Sequence, residues 1–313
     1  MTYTIEVPLY TEPLQTLIDY SRYAGIDFNI YAGYPDSPFN GGRNNFLMGG
    51  YIPKHLCSQE STVLHSFIGN RQALVDEAIE SFCESLTKIN QEGISFHLVM
   101  TNLFFQPEEL TEKNLYPLRK LVECGKKCGV KNGVILYNDD LKKNLEKDYG
   151  DDLIFLGSCA RYFDSDRMLS PQETMARYRK DLAQFDTVVL TPQDSFNRQI
   201  MEEMSPGNEA RVMAICNILC GRSCESYWHF EVISKGNKTS IIDYTMDDVT
   251  SMLKRFDEKL QLQCRRTHPT NIHEHIRNNI ILQLKAGITS FKIGRGYEKN
   301  ASSPLKTLIQ SIS

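Results

Sequence analysis

Short apolar segments alternate with amphipathic helical stretches along most of the chain. Apolar, β-branched runs bounded by turn residues predict strands, and apolar positions spaced by three and four residues predict helices. A helix is predicted over about 14–23, ahead of the first strand. Eight strands are predicted, at 26–31, 94–100, 133–137, 153–157, 187–191, 211–215, 259–263 and 290–293.

This order of elements predicts a single-domain (β/α)8 TIM barrel. Several strands are almost continuously apolar, as strands buried on both faces are. A barrel of this type takes ~250 residues, and the chain has 313. An open doubly wound sheet is the alternative, although it lacks a Gly-x-Gly-x-x-Gly turn. We expect one domain over 1–313, with a lead-in helix in 1–25 and a long loop after the sixth strand over 216–245.

Composition narrows the class of protein. Hydrophobic residues make up 41% of the chain and charged residues 24%, as in ordinary globular proteins. A net charge of −4 gives no general attraction to nucleic acid or to an anionic membrane. The N-terminus lacks a signal-peptide pattern, and no apolar run reaches the ~18 residues of a membrane span. These features predict a cytoplasmic protein that does not bind a membrane. We expect it to bind a small-molecule substrate rather than nucleic acid.

The cysteines suggest a metal centre. Cys216, Cys220 and Cys224 follow the sixth predicted strand with the spacing Cys-x3-Cys-x3-Cys, and Cys264 ends the seventh. In a barrel, loops that follow neighbouring strands meet at one face, so these four thiols are expected to converge. Four thiolates suit a 4Fe-4S iron–sulfur cluster, with zinc as the alternative. The spacing differs from the Cys-x3-Cys-x2-Cys of radical-SAM enzymes.

Other readings of the cysteines stay open. A single free cysteine is most often a small buried apolar residue, and clustering at strand ends is the argument against that reading here. Cys159 and Cys57 follow the fourth and first predicted strands, so they lie on the same predicted face and could substitute as ligands.

Candidate binding and catalytic residues also follow predicted strands. His229 lies close after the cysteine cluster and is a candidate proton donor or ligand, unless it packs against Trp228. Arg295 follows the eighth strand and Arg43 the first, and both are candidates to hold a substrate anion. A surface salt bridge is the alternative for Arg295. Three further polar residues end other strands and could line a substrate pocket: Asn102, Tyr137 and Gln193.

Three segments together resemble the collagenase-like peptidase superfamily (unknown-type peptidase family 32). The resemblance is closest to a single-barrel branch that is related to oxygen-independent hydroxylases. The segments are YPDSPFNGGR at 34–43, then Asn217-x2-Cys220-x3-Cys224 followed by His229-Phe230, and FKIGR at 291–295.

The resemblance implies a TIM-barrel core and either peptidase or hydroxylase activity. The hydroxylases carry a four-iron cluster on four cysteines, the last some forty residues after the others. Cys216, Cys220, Cys224 and Cys264 match this layout, although the first three are more closely spaced. The single-barrel branch carries only the pair that matches Cys220 and Cys224, with Asn217 before it. Cys216 is then an extra cysteine, and the ligand set stays open.

Three functions follow. The first is an iron–sulfur-dependent enzyme that performs an oxygen-independent redox reaction, such as hydroxylation, on a small anionic molecule held by Arg295 and Arg43. The second is a peptidase-like hydrolase, although no set of nucleophile, base and orienting residue can be picked from the sequence. The third is a non-catalytic metal-binding subunit. Related hydroxylases work as pairs, so a homologous partner subunit is also expected.

Overall fold

The structure is a computed structural model. It describes residues 2–9, 13–22, 25–41, 71–162, 169–217, 234, 238, 272–294 and 302–312.

Eight parallel strands form a closed barrel in which each strand pairs with the next along the chain. The last strand pairs with the first through Thr4 opposite Ser290 and Glu6 opposite Lys292, which closes the ring. The strands are β1 Tyr3–Pro8, β2 Ile26–Ala32, β3 Ser95–Met100, β4 Gly133–Leu136, β5 Ile154–Gly157, β6 Thr187–Val189, β7 Val212–Ile215 and β8 Ser290–Lys292.

In the part of the chain that the structure describes, one α-helix of the outer layer follows each strand. This confirms the (β/α)8 TIM barrel. The helices are α1 Leu14–Ser21, α2 Arg71–Gln91, α3 Glu112–Cys128, α4 Asp139–Tyr149, α5 Pro171–Leu182, α6 Arg198–Met204, α7 Ile272–Lys285 and α8 Ser302–Ile312. None of these described helices is both long and apolar enough to cross a bilayer.

Side-chain caps explain where several helices begin. Thr111 accepts a hydrogen bond from the backbone N–H of Asn114 at the start of α3, and Asn138 accepts from the first turn of α4. Ser170 and Glu173 form a capping box at the start of α5. Such caps satisfy N–H groups that have no partner inside the helix, and they end each strand-to-helix loop at a defined residue.

The first barrel strand is β1, which the sequence pattern assigns to a lead-in segment. Only α1 of the predicted lead-in over 1–25 is helical, and Tyr3–Pro8 is extended and pairs with β2 and β8. The strand alternates apolar and polar residues: Ile5 and Val7 are fully buried in the main hydrophobic core. A short alternating run at the start of a chain gives a weaker signal than the continuous apolar runs of the other strands.

The predicted seventh strand at 259–263 falls between β7 and β8 in the sequence. These residues lie outside the described residues, and β7 pairs directly with β8 through Met213 opposite Ser290 and Ile215 opposite Lys292. No position is therefore left for another strand between them. The expectation that Cys264 ends a strand between β7 and β8 therefore loses its support, and Cys264 itself lies outside the described residues.

Each strand divides its side chains between two layers. One set faces the helices and forms the main core, which includes Ile30, Phe96, Leu136 and Phe291. The other set faces the barrel axis, where Tyr31, Ile135 and Leu156 pack together in a separate cluster. This alternation is the general pattern of barrel strands, and it decides which polar residues reach the interior.

Candidate active site

A charged cluster occupies the axis of the barrel. The Glu6 carboxylate on β1 contacts two partners: His97 Nδ1 on β3 lies 2.8 Å from Oε1, and the Lys292 ammonium on β8 donates to Oε2. The Glu6 side chain is fully buried and that of Lys292 is 11% exposed. Because β1 and β3 are not neighbours, the three side chains can meet only inside the barrel.

The electrostatics of the cluster hold Glu6 in its ionised form. Burial alone raises the pKa of Glu6, but the Lys292 charge and the hydrogen bond with His97 outweigh it and lower the pKa to about 2. Lys292 Nζ also lies 3.6 Å from the centre of the Tyr31 ring, a cation–π contact. Tyr31 in turn donates its hydroxyl to the Ile293 carbonyl at 2.8 Å. Lys292 is therefore held as an ammonium at the carboxyl end of β8.

A glycine on the next strand makes room for the imidazole. A Cβ atom at Gly133 would lie 2.9 Å from His97 Cδ2 and 2.9 Å from the Ile154 carbonyl oxygen, closer than packed side chains allow. The other ring nitrogen, Nε2, lies 3.3 Å from Ser95 Oγ at the amino end of β3. The cluster thus extends from the amino end of the barrel to the carboxyl ends of the strands, where barrel enzymes bind substrates.

Asn217 joins the ends of the last two strands. Its Nδ2 donates to the Gly294 carbonyl at 2.8 Å, and its Oδ1 accepts from the Gly294 N–H at 2.6 Å. A side-chain amide that pairs with both backbone groups of one residue continues the sheet hydrogen bonds beyond β7 and β8. The start of the cysteine-bearing segment and the residue before Arg295 are therefore held together.

Cys216 faces away from the barrel axis. It is fully buried in the main core, and its thiol donates to Gln283 Oε1 on α7 at 3.7 Å. Gln283 Nε2 donates to the backbone carbonyls of Ser195 and Ile215 at 2.8 and 3.1 Å. Burial raises the pKa of Cys216 well above its usual range. In this position Cys216 suits a packed thiol, and it does not fit the predicted role of a metal ligand.

Cys159 lies at the mouth, in the short 3-10 turn Cys159–Tyr162 after β5. It is partly exposed and packs against the interior cluster that contains Val189 and Ile215. Burial raises the pKa of its thiol to about 11, although the Lys292 charge acts in the opposite direction. Cys159 is therefore a neutral thiol close to the charged cluster, unless a metal replaces its proton.

The Gly-rich loop after β2 packs directly on the end of β3. A Cβ atom at Gly41 would lie 1.8 Å from the Thr101 carbonyl oxygen, so only glycine fits. The Asn102 N–H donates to the Phe39 carbonyl at 2.8 Å and fixes the approach. This contact fixes the position of Gly41, the residue from which the segment that carries Arg43 starts.

Asn102 ties three segments together. Its Nδ2 donates to the backbone carbonyls of Asn40 and Ser234 at 3.0 and 2.9 Å, and its Oδ1 accepts from the Phe104 N–H at 2.9 Å. Both amide hydrogens are thus used within the chain. Asn102 lies at the mouth as predicted, and the contacts suit a role in shaping the mouth more than direct contact with a substrate.

The remaining predicted residues divide into two groups. Tyr137 and Gln193 are partly buried and follow β4 and β6 at the carboxyl ends of the strands. The Tyr137 carbonyl accepts a hydrogen bond from Arg161, and the Gln193 carbonyl accepts from the Phe196 N–H at 3.3 Å. Seven predicted ligand, binding or catalytic residues lie outside the described residues: Arg43, Cys57, Cys220, Cys224, His229, Cys264 and Arg295.

A surface groove of about 550 Å³ lies elsewhere, between the loop after β2 and the first turns of α2 and α3. Asp36, Asp76, Glu112 and Arg119 are among its lining residues. None of the predicted site residues that the structure describes is among them. The barrel axis is therefore the better candidate site, because the buried charges meet there.

Glu6, His97 and Lys292 are the site residues that the sequence pattern did not single out. Each is an isolated titratable residue in an otherwise apolar strand, in the runs TIEV, SFHLV and SFKI. Charged residues are almost never fully buried unless they are paired. Acidic and basic residues placed singly on inward positions of strands that meet in the barrel could have indicated the cluster.

Comparison with known proteins gives little further information. No model of a known protein family matches the chain, and no curated protein does. Among solved structures, the chain is similar to that of the U32 peptidase Mk0906, with 12% sequence identity and a TM-score of 0.42. The match covers 80% of this chain and 84% of the other. That neighbour comes from the superfamily that the three sequence segments resemble, but a match this distant carries no argument about the reaction.

Proposed function

We propose that the chain is an enzyme that binds a small anionic substrate in the mouth of the barrel, above Lys292. The observation that carries the proposal is the Lys292 ammonium at the end of β8. It is held in place by Glu6 and Tyr31, and its side chain keeps 11% exposure. A fixed cation in a concave, poorly hydrated site attracts anions far more strongly than a surface lysine does.

The position of the cation supports a binding role rather than a nucleophilic one. An amine attacks a carbonyl carbon only after it has lost a proton, and Glu6, with its pKa lowered to about 2, is a poor acceptor for that proton. The same ion pair favours the charged form of Lys292. The predicted role of Arg295 and Arg43 in holding the anion is part of the proposal, and Arg295 follows Gly294 in the chain.

The predicted iron–sulfur chemistry, an oxygen-independent hydroxylation, stays part of the proposal and rests on Cys220, Cys224 and Cys264. Bound at the mouth, such a cluster would supply electron transfer to the substrate. Cys216 does not fit its ligand set, as its thiol faces α7. Among the described residues no group of three or more His, Cys, Asp or Glu side chains could hold a metal ion. No step of a reaction is therefore assigned to the cluster.

Inorganic sulfate tests the anion site by isothermal titration calorimetry. We expect the wild-type protein to bind sulfate, and the double variant E6Q/K292M, which loses both charges of the pair, to bind it at least ~10-fold more weakly. The variant E6Q alone should bind sulfate more tightly, because the competing carboxylate is gone. Equal affinities in the wild type and the double variant would contradict the proposal.

Lys142 offers a matched control. It is also a buried lysine, with a side chain 7% exposed, a Glu146 partner at 2.7 Å and an aromatic ring of Phe155 beneath it, but it lies on α4 outside the barrel. The variant K142M removes a similar charge at a position outside the barrel. Sulfate affinity should therefore be unchanged in K142M.

Metal and sulfide analysis of protein purified without air tests the cluster. We expect bound iron and inorganic sulfide in the wild type, unchanged amounts in C216A, and loss of both in C220A/C224A. Bound zinc would replace the redox proposal by the zinc alternative. Protein that contains no metal but cleaves peptides would instead favour the hydrolase.

A further inference from the structure

Glu6 is shared between two basic side chains on opposite sides of its carboxylate. Oε2 accepts from the Lys292 ammonium, and Oε1 lies 2.8 Å from His97 Nδ1. The His97 side chain is 3% exposed, so neither bond competes with bulk water. A change in the charge around Lys292 therefore alters the interaction of Glu6 with Lys292 and, through Glu6, the interaction with His97.

The second nitrogen of His97 also faces an acceptor. Ser95 Oγ donates its only hydrogen to the Lys131 carbonyl at 2.8 Å, so at 3.3 Å it can only accept from His97 Nε2. Both ring nitrogens can thus donate, as an imidazolium requires. Ser95 lies at the amino end of β3, on the opposite side of His97 from the mouth.

We propose that binding of an anion above Lys292 is coupled to uptake of a proton at His97, with Glu6 carrying the coupling. This inference rests on the proposed function. A bound anion competes with Glu6 for the ammonium, and it adds negative charge to a poorly hydrated interior. A positive charge on His97 compensates for both effects, so the anion and the proton favour each other's binding by the same factor.

Glu6 and Cys159 keep one protonation state each across the neutral pH range. Besides His97, the titratable groups of the cluster are Glu6 on β1, Tyr31 on β2 and Lys292 on β8, and the Lys292 charge also acts on Cys159 after β5. The pKa of Glu6 is lowered to about 2 and that of Cys159 is raised to about 11. Histidine is the side chain whose charge ordinarily changes between about pH 5 and 8.

The coupling deepens the proposed function. The substrate anion would bring a proton to the barrel axis as it binds, and release of an anionic product would return that proton. His97 is a positioning residue in this scheme, since it acts through Glu6 and Lys292 and does not touch the substrate. Because a proton is taken up together with the anion, binding of the anion should weaken as the pH rises.

Calorimetric titration with sulfate in two buffers that differ in their heat of ionisation measures the proton directly. Sulfate stays a dianion throughout this pH range, so any proton taken up goes to the protein. We expect uptake of a fraction of a proton by the wild type at about pH 7. We expect H97Q, in which the side-chain amide can still donate to Glu6, to bind sulfate with less than ~10-fold loss and to take up no proton.

The outcomes separate the two proposals. Sulfate binding with the same heat in both buffers would overturn the proton coupling and leave the anion site intact. The same proton uptake in H97Q as in the wild type would overturn the role of His97. Absence of sulfate binding to the wild type would overturn the anion site and the coupling with it. If H97Q fails to fold, ¹⁵N NMR of His97 in the wild type decides: sulfate should shift both ring nitrogens towards imidazolium values, and unchanged signals would refute the coupling.

Discussion

Replacement of Lys292 by methionine is expected to lower the free energy of unfolding by about 3–5 kcal/mol, because it leaves the Glu6 carboxylate buried without its cation. Removal of both charges in E6Q/K292M should restore most of the loss, because no uncompensated charge then stays in the barrel. Denaturant unfolding of the two single variants and the double variant measures the coupling. A double variant that is no more stable than K292M would contradict this account of the interior.

The pH dependence of K292M provides a second measurement. The pKa of Glu6 is lowered from its ordinary value of 4.5 to about 2. A lowered carboxyl pKa contributes stability above pH 4.5, and this contribution is lost as the pH falls from 4.5 towards 2. The gap in melting temperature between wild type and K292M should therefore be wide at neutral pH and narrow in this acid range. A constant gap would show that Glu6 ionisation is not its source.

Replacement of Gly41 by alanine is expected to cost about 2–4 kcal/mol or to prevent folding, because the added Cβ would overlap backbone. The nearest atom, the Thr101 carbonyl oxygen, lies 1.8 Å from the Cβ position, and the Asn102 nitrogen lies 2.6 Å from it. Neither atom can move without opening the end of β3. Thermal unfolding followed by circular dichroism measures the loss.

Gly157 supplies the control for Gly41. It ends β5, and a Cβ atom there would meet its nearest neighbours, atoms of the Phe185 ring, at an ordinary 3.5 Å. The variant G157A should therefore stay within about 0.5 kcal/mol of the wild type. A fully stable G41A would mean that the loop after β2 does not pack on β3 as described.

The fold could be predicted from the sequence because seven of the barrel strands are marked by apolar runs of the right length and order. The run at 259–263 alternates like a strand and was predicted as the seventh, although β7 pairs directly with β8, whereas β1 also alternates and was overlooked. Periodicity describes one segment at a time. Which segment completes the ring depends on pairing between β1 and β8, residues far apart in the sequence, and no local pattern contains that information.

The candidate site was less accessible to sequence reasoning. Asn102, Tyr137, Gln193 and Cys159 each follow a barrel strand, so their place beyond the carboxyl ends of the strands could be predicted, and their role in binding stays a prediction. Cys216 shows the limit of that argument, since the direction of a side chain depends on strand alternation: Ile215 faces the axis, and Cys216 faces α7. The meeting of Glu6 with His97 and Lys292 depends on three strands at once.

The pairing of Glu6 with Lys292 also has a consequence for synthesis of the chain on the ribosome. The two residues are 286 positions apart, so the carboxylate leaves the ribosome long before its cation does. Until β8 is made, β1 and β7 are unpaired edges and the carboxylate has no lysine to neutralise it. From the synthesis of β1 to that of β8, the nascent barrel is therefore exposed to aggregation, and holdase chaperones would act mainly in this interval.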